Sequence, residues 1–161
     1  MEHMDSDQDR ARQDALAFLT RHKTGVLSTV SAQGDAHSRL VHYVCDNQFH
    51  IYFSTLAGTR KVADLSGHPQ ASFVVATEDV PQTIQLEGTV SEITDEQKIE
   101  RELAPLVEVL MSNTTFHWPT LKLDQGELKL MEFVPTWIRW ADYAFAEKGT
   151  KHVFVEIPTH A

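Results

Sequence analysis

The stretch Phe53-Ser54-Thr55-Leu56-Ala57-Gly58-Thr59-Arg60-Lys61 runs a β-like segment into a glycine turn, a hydroxyl residue and two cations. Val62 and Leu65 continue it at helical spacing with an inward face, and Gly67 and Pro69 end that helix. A helix N-terminus presents unpaired amides and the positive end of the helix dipole. Arg60 and Lys61 at that position run against the dipole unless an anion neutralises them. A strand end, a tight turn and a cationic helix start therefore read as an anion site.

Upstream, Ala11, Ala15, Leu16, Phe18 and Leu19 recur at helical spacing between Asp7 and His22. They predict an amphipathic first helix, and residues 1–6, which carry no pattern, are expected to be a disordered segment before a single domain over 7–161. Val26 to Val30 and His37 to Cys45 read as strands joined by a turn at residues 31–35. The second run alternates, so Arg39, Val41, Tyr43 and Cys45 share one face while Ser38, Leu40, His42 and Val44 share the other. A two-residue turn at Asp46-Asn47 would return the chain as Phe49 to Thr55 and set Arg39 opposite Ser54.

Ala71 to Thr77 and Thr83 to Ile93 read as further strands, with Gly88 as a bulge or close-approach point. Thr94-Asp95-Glu96-Gln97 is a capping box opening a third helix, whose stripe is Ile99, Leu103, Leu106, Val107 and Leu110. Pro105 inside it is expected to kink or split the helix. Strands at 127–133 and 136–143 and a β-like stretch at 151–157 follow a polar and aromatic loop containing Phe116-His117-Trp118-Pro119. Many short strands with three helices predict a mainly β barrel with helical additions.

Charge narrows the chemistry. The 161-residue chain has a formal net charge of −9, which disfavours nucleic acid and anionic membranes as partners. Its apolar runs are about five times too short to span a bilayer. The first residues lack a secretory apolar segment, and a single cysteine, Cys45, allows neither an internal disulfide nor a thiolate metal cluster, so a cytoplasmic location is expected. Between Thr24 and Gln97 the cations are Arg39, Arg60 and Lys61, set among nine acidic residues. Any one of them reads as a solvated surface charge; the three together read as a guanidinium and ammonium clamp for a phosphate. His37, His42 and His50 lack metal-ligand spacing, and no metal site is expected. No nucleotide loop, dinucleotide fingerprint or nucleophile elbow is present.

Arg39-Leu-Val-His-Tyr, then the stretch from Phe53 to Lys61, then Ala63-Asp-Leu-Ser-Gly-His-Pro69 and Leu86-Glu-Gly88 resemble the pyridoxamine 5′-phosphate oxidase-like, FMN-binding split-barrel family over roughly Asp7 to Tyr143. That resemblance implies a six-stranded antiparallel split β-barrel that forms a homodimer and binds FMN at the subunit interface. It implies that Arg39, Thr55, Thr59, Arg60 and Lys61 hold the FMN phosphate, with Ser54 among the cofactor-binding residues. Backbone at Leu40, Val41 and His42 would lie along the flavin ring, and Thr83 or Gln85 would reach that ring. Trp137, Arg139 and Trp140 are candidates for a contact from the partner subunit, although tryptophans at such positions commonly pack a core.

Two departures separate the chain from the oxidase itself. The oxidase's lysine five residues after the first arginine is Val44 here, and its late Arg-x-His segment has no counterpart after Trp137. The resemblance therefore implies a flavin-dependent oxidoreductase acting on another small molecule, with a nicotinamide compound as a candidate electron donor. A non-enzymatic flavin-binding or stress-related protein, a deazaflavin enzyme, and a haem-binding or haem-utilising protein, with His117 or His160 reaching iron, are the alternatives on the same scaffold.

Overall fold

The run from Ala36 to Cys45 belongs to both ends of one sheet. In the computed structural model, which describes residues 2–79, 81–111, 128–144 and 153–159, this run divides at Tyr43 into β2 (Ala36–His42) and β3 (Val44–Cys45). β2 pairs with β1 (Thr24–Val30), whereas β3 pairs with β4 (Ile51–Leu56). Adding β5 (Gln70–Ala76), β6 (Gln82–Glu92) and β7 (Leu128–Asp142) gives the antiparallel order β2-β1-β5-β6-β7-β4-β3, and β8 (Phe154–Glu156) pairs with the far half of β7. The two edge strands are consecutive halves of one chain segment, so the sheet must curl on itself. Mainly β, antiparallel and curled, this is the expected split-barrel architecture, with eight strands among the described residues.

Local chemistry explains the turns. Ser31 Oγ accepts from the amides of Gln33 and Asp35 at 3.2 and 3.1 Å, and Gly34 adopts φ +88°, closing the β1–β2 hairpin. The next hairpin differs from expectation. Asp46 Oδ1 accepts from the amides of Gln48 and His50 at 2.8 and 2.9 Å, so the loop is longer than two residues. Phe49 takes φ 65° to bury its ring fully beneath the Arg12 guanidinium, 4.9 Å away. The register becomes Val44↔Tyr52, and Arg39 faces Leu27 rather than Ser54.

Tyr43, at the break, is fully buried; its amide donates to Lys23 O at 3.1 Å and its hydroxyl to Leu19 O at 2.7 Å. Leu27, Phe49, Ile51, Phe53, Phe73, Ile84 and Phe133 fill the barrel interior around it. Helix α1 (Glu2–Arg21) covers one opening with Ala15, Phe18 and Leu19, and Phe18 packs 5.1 Å from Trp140. The helix thus begins at Glu2, ahead of its apolar pattern. α2 (Arg60–Gly67) follows β4 directly.

Helix α3 (Glu96–Met111) continues through Pro105, which is exposed, and is not split there. Asp95, not Thr94, caps it, accepting from the Lys98 amide at 2.8 Å. Leu106 is buried against Tyr52, Ile93 and Leu130, with Ile99 packed beside them. The side chains of Leu103, Val107 and Leu110 lie outside the described residues, as do the Phe116–Pro119 loop and His160.

Two expected strands near the C-terminus are one, because a bulge accommodates Pro135. Glu87 faces Trp137 while Gly88 faces Pro135, leaving Thr136 as the extra residue, whose hydroxyl donates to Glu87 O at 3.2 Å. A Cβ on Gly88 would sit 2.9 Å from Pro135 Cα and still closer to the Val134 carbonyl. Gly88→Ala is therefore expected to destabilise the protein by about 3 kcal/mol through backbone overpacking, read as a lower urea midpoint. An unchanged midpoint would mean that β6 and β7 do not approach this closely.

Candidate functional site

β1, β2, β4 and α2 bring a polar cluster together. Alternation along β2 sends His37 and Arg39 to the cluster side and turns Leu40 outward, 65% exposed. Thr29, opposite His37 on β1, is fully buried. Arg39 Nη1 donates to Thr29 Oγ1 at 2.7 Å and its Nη2 to Asp64 Oδ2 at 3.4 Å. The same Asp64 oxygen accepts the Thr29 hydroxyl at 2.7 Å and lies 2.9 Å from His37 Nδ1.

The other half of the cluster is the β4–α2 junction. Lys61 Nζ donates to Thr55 Oγ1 at 2.7 Å, and Thr55 and Thr59 hydroxyls meet at 3.1 Å. Thr59 is the N-cap residue, yet its hydroxyl donates backward to Leu56 O at 2.9 Å and caps no helix amide. The first turn of α2 carries no acidic residue. An uncapped helix start flanked by a lysine and two hydroxyls can receive an anion's oxygens.

Burial, and then the neighbouring Arg39 guanidinium, lower the Lys61 ammonium from its ordinary value. Hydrogen bonds from His37 and Thr29 hold the Asp64 carboxyl below the usual carboxylate range against its own desolvation, with help from the His37 charge and the Arg39 hydrogen bond. Lys61 is thus made more acidic by the same guanidinium that Asp64 partly neutralises.

The expected residues divide into three groups. Arg39, Thr55, Thr59 and Lys61 meet at the cluster, and Arg60 stands exposed at the first position of α2. Ser54 points to the opposite face of β4 from Thr55, and Val41 is buried in the core. Leu40, Thr83, Gln85, Trp137 and Arg139 belong to the outer sheet face, while Trp140 is buried beside Phe18. His42, on the Leu40 side of β2, is half-buried, and burial lowers its pKa.

On that outer face, pairing aligns Leu40, Val26, Val74, Gln85 and Arg139 in a row across five strands. Gln85 Oε1 accepts from Arg139 Nη2 at 2.7 Å, and the Arg139 guanidinium lies 5.4 and 5.2 Å from the Trp137 and Phe154 rings. β2 connects the two regions, because its His37 and Arg39 face the cluster and its Leu40 faces the row. Among the described residues, no group of His, Cys, Asp or Glu could hold a metal ion. No described helix is long and apolar enough to cross a membrane.

Sequence reasoning missed Thr29 and Asp64 as members of the cluster. Asp64 stands one helical turn after Arg60 and beside inward-facing Leu65, a spacing that could have flagged a buried carboxylate.

The family model for pyridoxamine 5′-phosphate oxidase matches residues 11–140. No curated protein matches the chain in sequence. Among solved structures, the chain is similar to a Clostridium acetobutylicum protein related to general stress protein 26 of the pyridoxinephosphate oxidase family, at 14% identity and TM-score 0.68, covering 92% of this chain and 94% of that one. A haem-binding protein from Mycobacterium smegmatis aligns at 14% identity and TM-score 0.71, over 92% of this chain and 58% of its own. An F420 reductase aligns at 18% identity and TM-score 0.61, over 76% and 93%. At such identities the likeness concerns the fold.

A pH prediction follows from Asp64. A carboxyl whose folded pKa is depressed stabilises the fold above its unfolded pKa, and that contribution disappears as pH falls through the folded value. The stability gap between the parent and Asp64→Asn should therefore persist through mildly acidic conditions and close only below the usual carboxylate range, as read by urea unfolding across pH. A gap that closes well above the usual carboxylate range would contradict the depressed Asp64 carboxyl.

Proposed function

The chain belongs to the pyridoxamine 5′-phosphate oxidase family, and from that premise we propose that it binds FMN and acts as a flavin-dependent oxidoreductase on a small molecule. The observation that carries this reading is the meeting of Arg39, Lys61, Thr55 and Thr59 at an uncapped helix start in a chain of formal charge −9. The residues fit a terminal phosphate. Lys61, Arg60 and the outer edge of Arg39 supply charge-assisted donors, Thr55 and Thr59 supply hydroxyls, and the opening amides of α2 supply backbone donors.

The outer row fits a flat ring. Leu40, Val26 and Val74 give it an apolar floor, and Gln85, held by Arg139, presents an amide at its end. Leu40 at 65% exposure, with Val26 and Val30 each at 39%, leaves this floor uncovered in one chain, which supports a second copy closing over it as a homodimer. When bound, the flavin supplies the redox chemistry, with a nicotinamide compound as candidate donor. The chain's own work is to anchor the phosphate, orient the ring against β2 and exclude water from its buried face.

A second reading, haem binding, is favoured by the likeness to the Mycobacterium smegmatis haem-binding protein. Absorption separates the two, since haem gives a Soret band and flavin does not.

Replacing both Arg60 and Lys61 by alanine is expected to weaken FMN binding by roughly 100-fold, because two charge-assisted contacts are lost, with circular dichroism unchanged. Flavin fluorescence quenching measures it. Equal affinity in the double variant and the parent would sink the phosphate assignment.

A further inference from the structure

Asp64 lies beneath the cation cluster with its side chain 5% exposed, on the protein side of Arg39. One of its oxygens receives the Thr29 hydroxyl at 2.7 Å, His37 at 2.9 Å and Arg39 at 3.4 Å. A carboxylate facing a guanidinium, a hydroxyl and an imidazole offers those donors what one edge of a phosphate would. Arg39 and Lys61 against this one carboxylate leave these side chains a formal charge of +1, and Arg60 stands exposed at the start of α2.

We propose that Asp64 is an internal competitor of the ligand's phosphate, neutralising Arg39 in the free protein and restraining the anion affinity of the same site. The inference rests on the phosphate-site reading above. Without an anion nearby, Arg39 and half-buried Lys61 repel each other, and the free fold bears that repulsion. Asp64 relieves it from inside. Once a phosphate arrives from outside, that relief is redundant, and the carboxylate stands one guanidinium away from an incoming dianion that it repels.

Asp64 could instead serve affinity by orienting Arg39. The distances argue against that as the main effect, since Thr29 holds Arg39 at 2.7 Å while Asp64 lies at 3.4 Å. Substituting asparagine leaves an oxygen that still accepts from Thr29 and His37, so the hold on the guanidinium largely survives and the charge does not. Charge removal should dominate the outcome.

The test uses the full-length protein and compares Asp64→Asn with the parent for FMN, riboflavin and inorganic phosphate. The expected results are a lower melting temperature for the free variant, FMN and inorganic phosphate bound roughly fivefold tighter, a steeper salt dependence, and riboflavin unchanged. A purely structural role would lower the melting temperature without tightening FMN. Asp64→Glu keeps the charge and should bind FMN as the parent does, which keeps the idea testable if Asp64→Asn folds poorly. Weaker FMN binding with riboflavin unchanged would overturn competition in favour of orientation, and equal changes for FMN and riboflavin would overturn any phosphate-specific role. A parent that binds FMN no better than riboflavin would overturn the phosphate site itself.

Discussion

The barrel depends on one strand that changes partners at Tyr43. Before that residue the chain hydrogen-bonds to β1, and after it to β4, so the two sheet edges are tied by a single residue. Burial of Tyr43 with its hydroxyl on Leu19 O satisfies the polar group at the break and fastens α1 over the barrel opening. An open sheet with this connectivity would leave two edges and an uncovered core. Closure also determines where the chemistry lies, because it sets β2 across the gap between β1 and the β4–α2 junction. Arg39 and Lys61 arrive from opposite sides of that gap.

An acidic chain brings Arg39 and Lys61 together, with Arg60 exposed at the start of α2, and two physical terms oppose each other there. Burial, and then repulsion from Arg39, disfavour the Lys61 charge and lower its pKa. Hydroxyls from Thr29, Thr55 and Thr59 and the carboxylate of Asp64 offset that cost within the protein. Under the proposed reading, these same charges would receive the ligand's phosphate. Stability of the free state and affinity for the ligand then draw on the same charges, a familiar tension at binding sites.

Much of this was legible in the residues. The strict alternation from His37 to Cys45 separated Arg39 from Leu40 before any coordinates, and Gly88 announced the close approach of β7. The glycine turn and hydroxyl before Arg60 located the start of α2. Register was harder. Asp46-Asn47 resembles a tight hairpin turn, but a carboxylate that caps two amides and a buried Phe49 lengthen the loop, and the change of partner at Tyr43 sets Arg39 opposite Leu27 instead of Ser54. Pro135 reads as a gap between two strands because the bulge at Thr136, which lets β7 run on past the proline, is invisible in one sequence. Asp64 escaped notice because an acidic residue on a short helix is ordinarily solvated, and only tertiary packing shows that its partners come from β1 and β2.

The most direct test of the account is a crystal structure of the protein with FMN. The account predicts the phosphate at the start of α2, within hydrogen-bonding distance of Lys61, Thr55 and Arg39, with the ring lying over Leu40 and Val26. A flavin phosphate bound elsewhere, leaving Lys61 on Thr55 and Arg39 on Asp64 undisturbed, would contradict it.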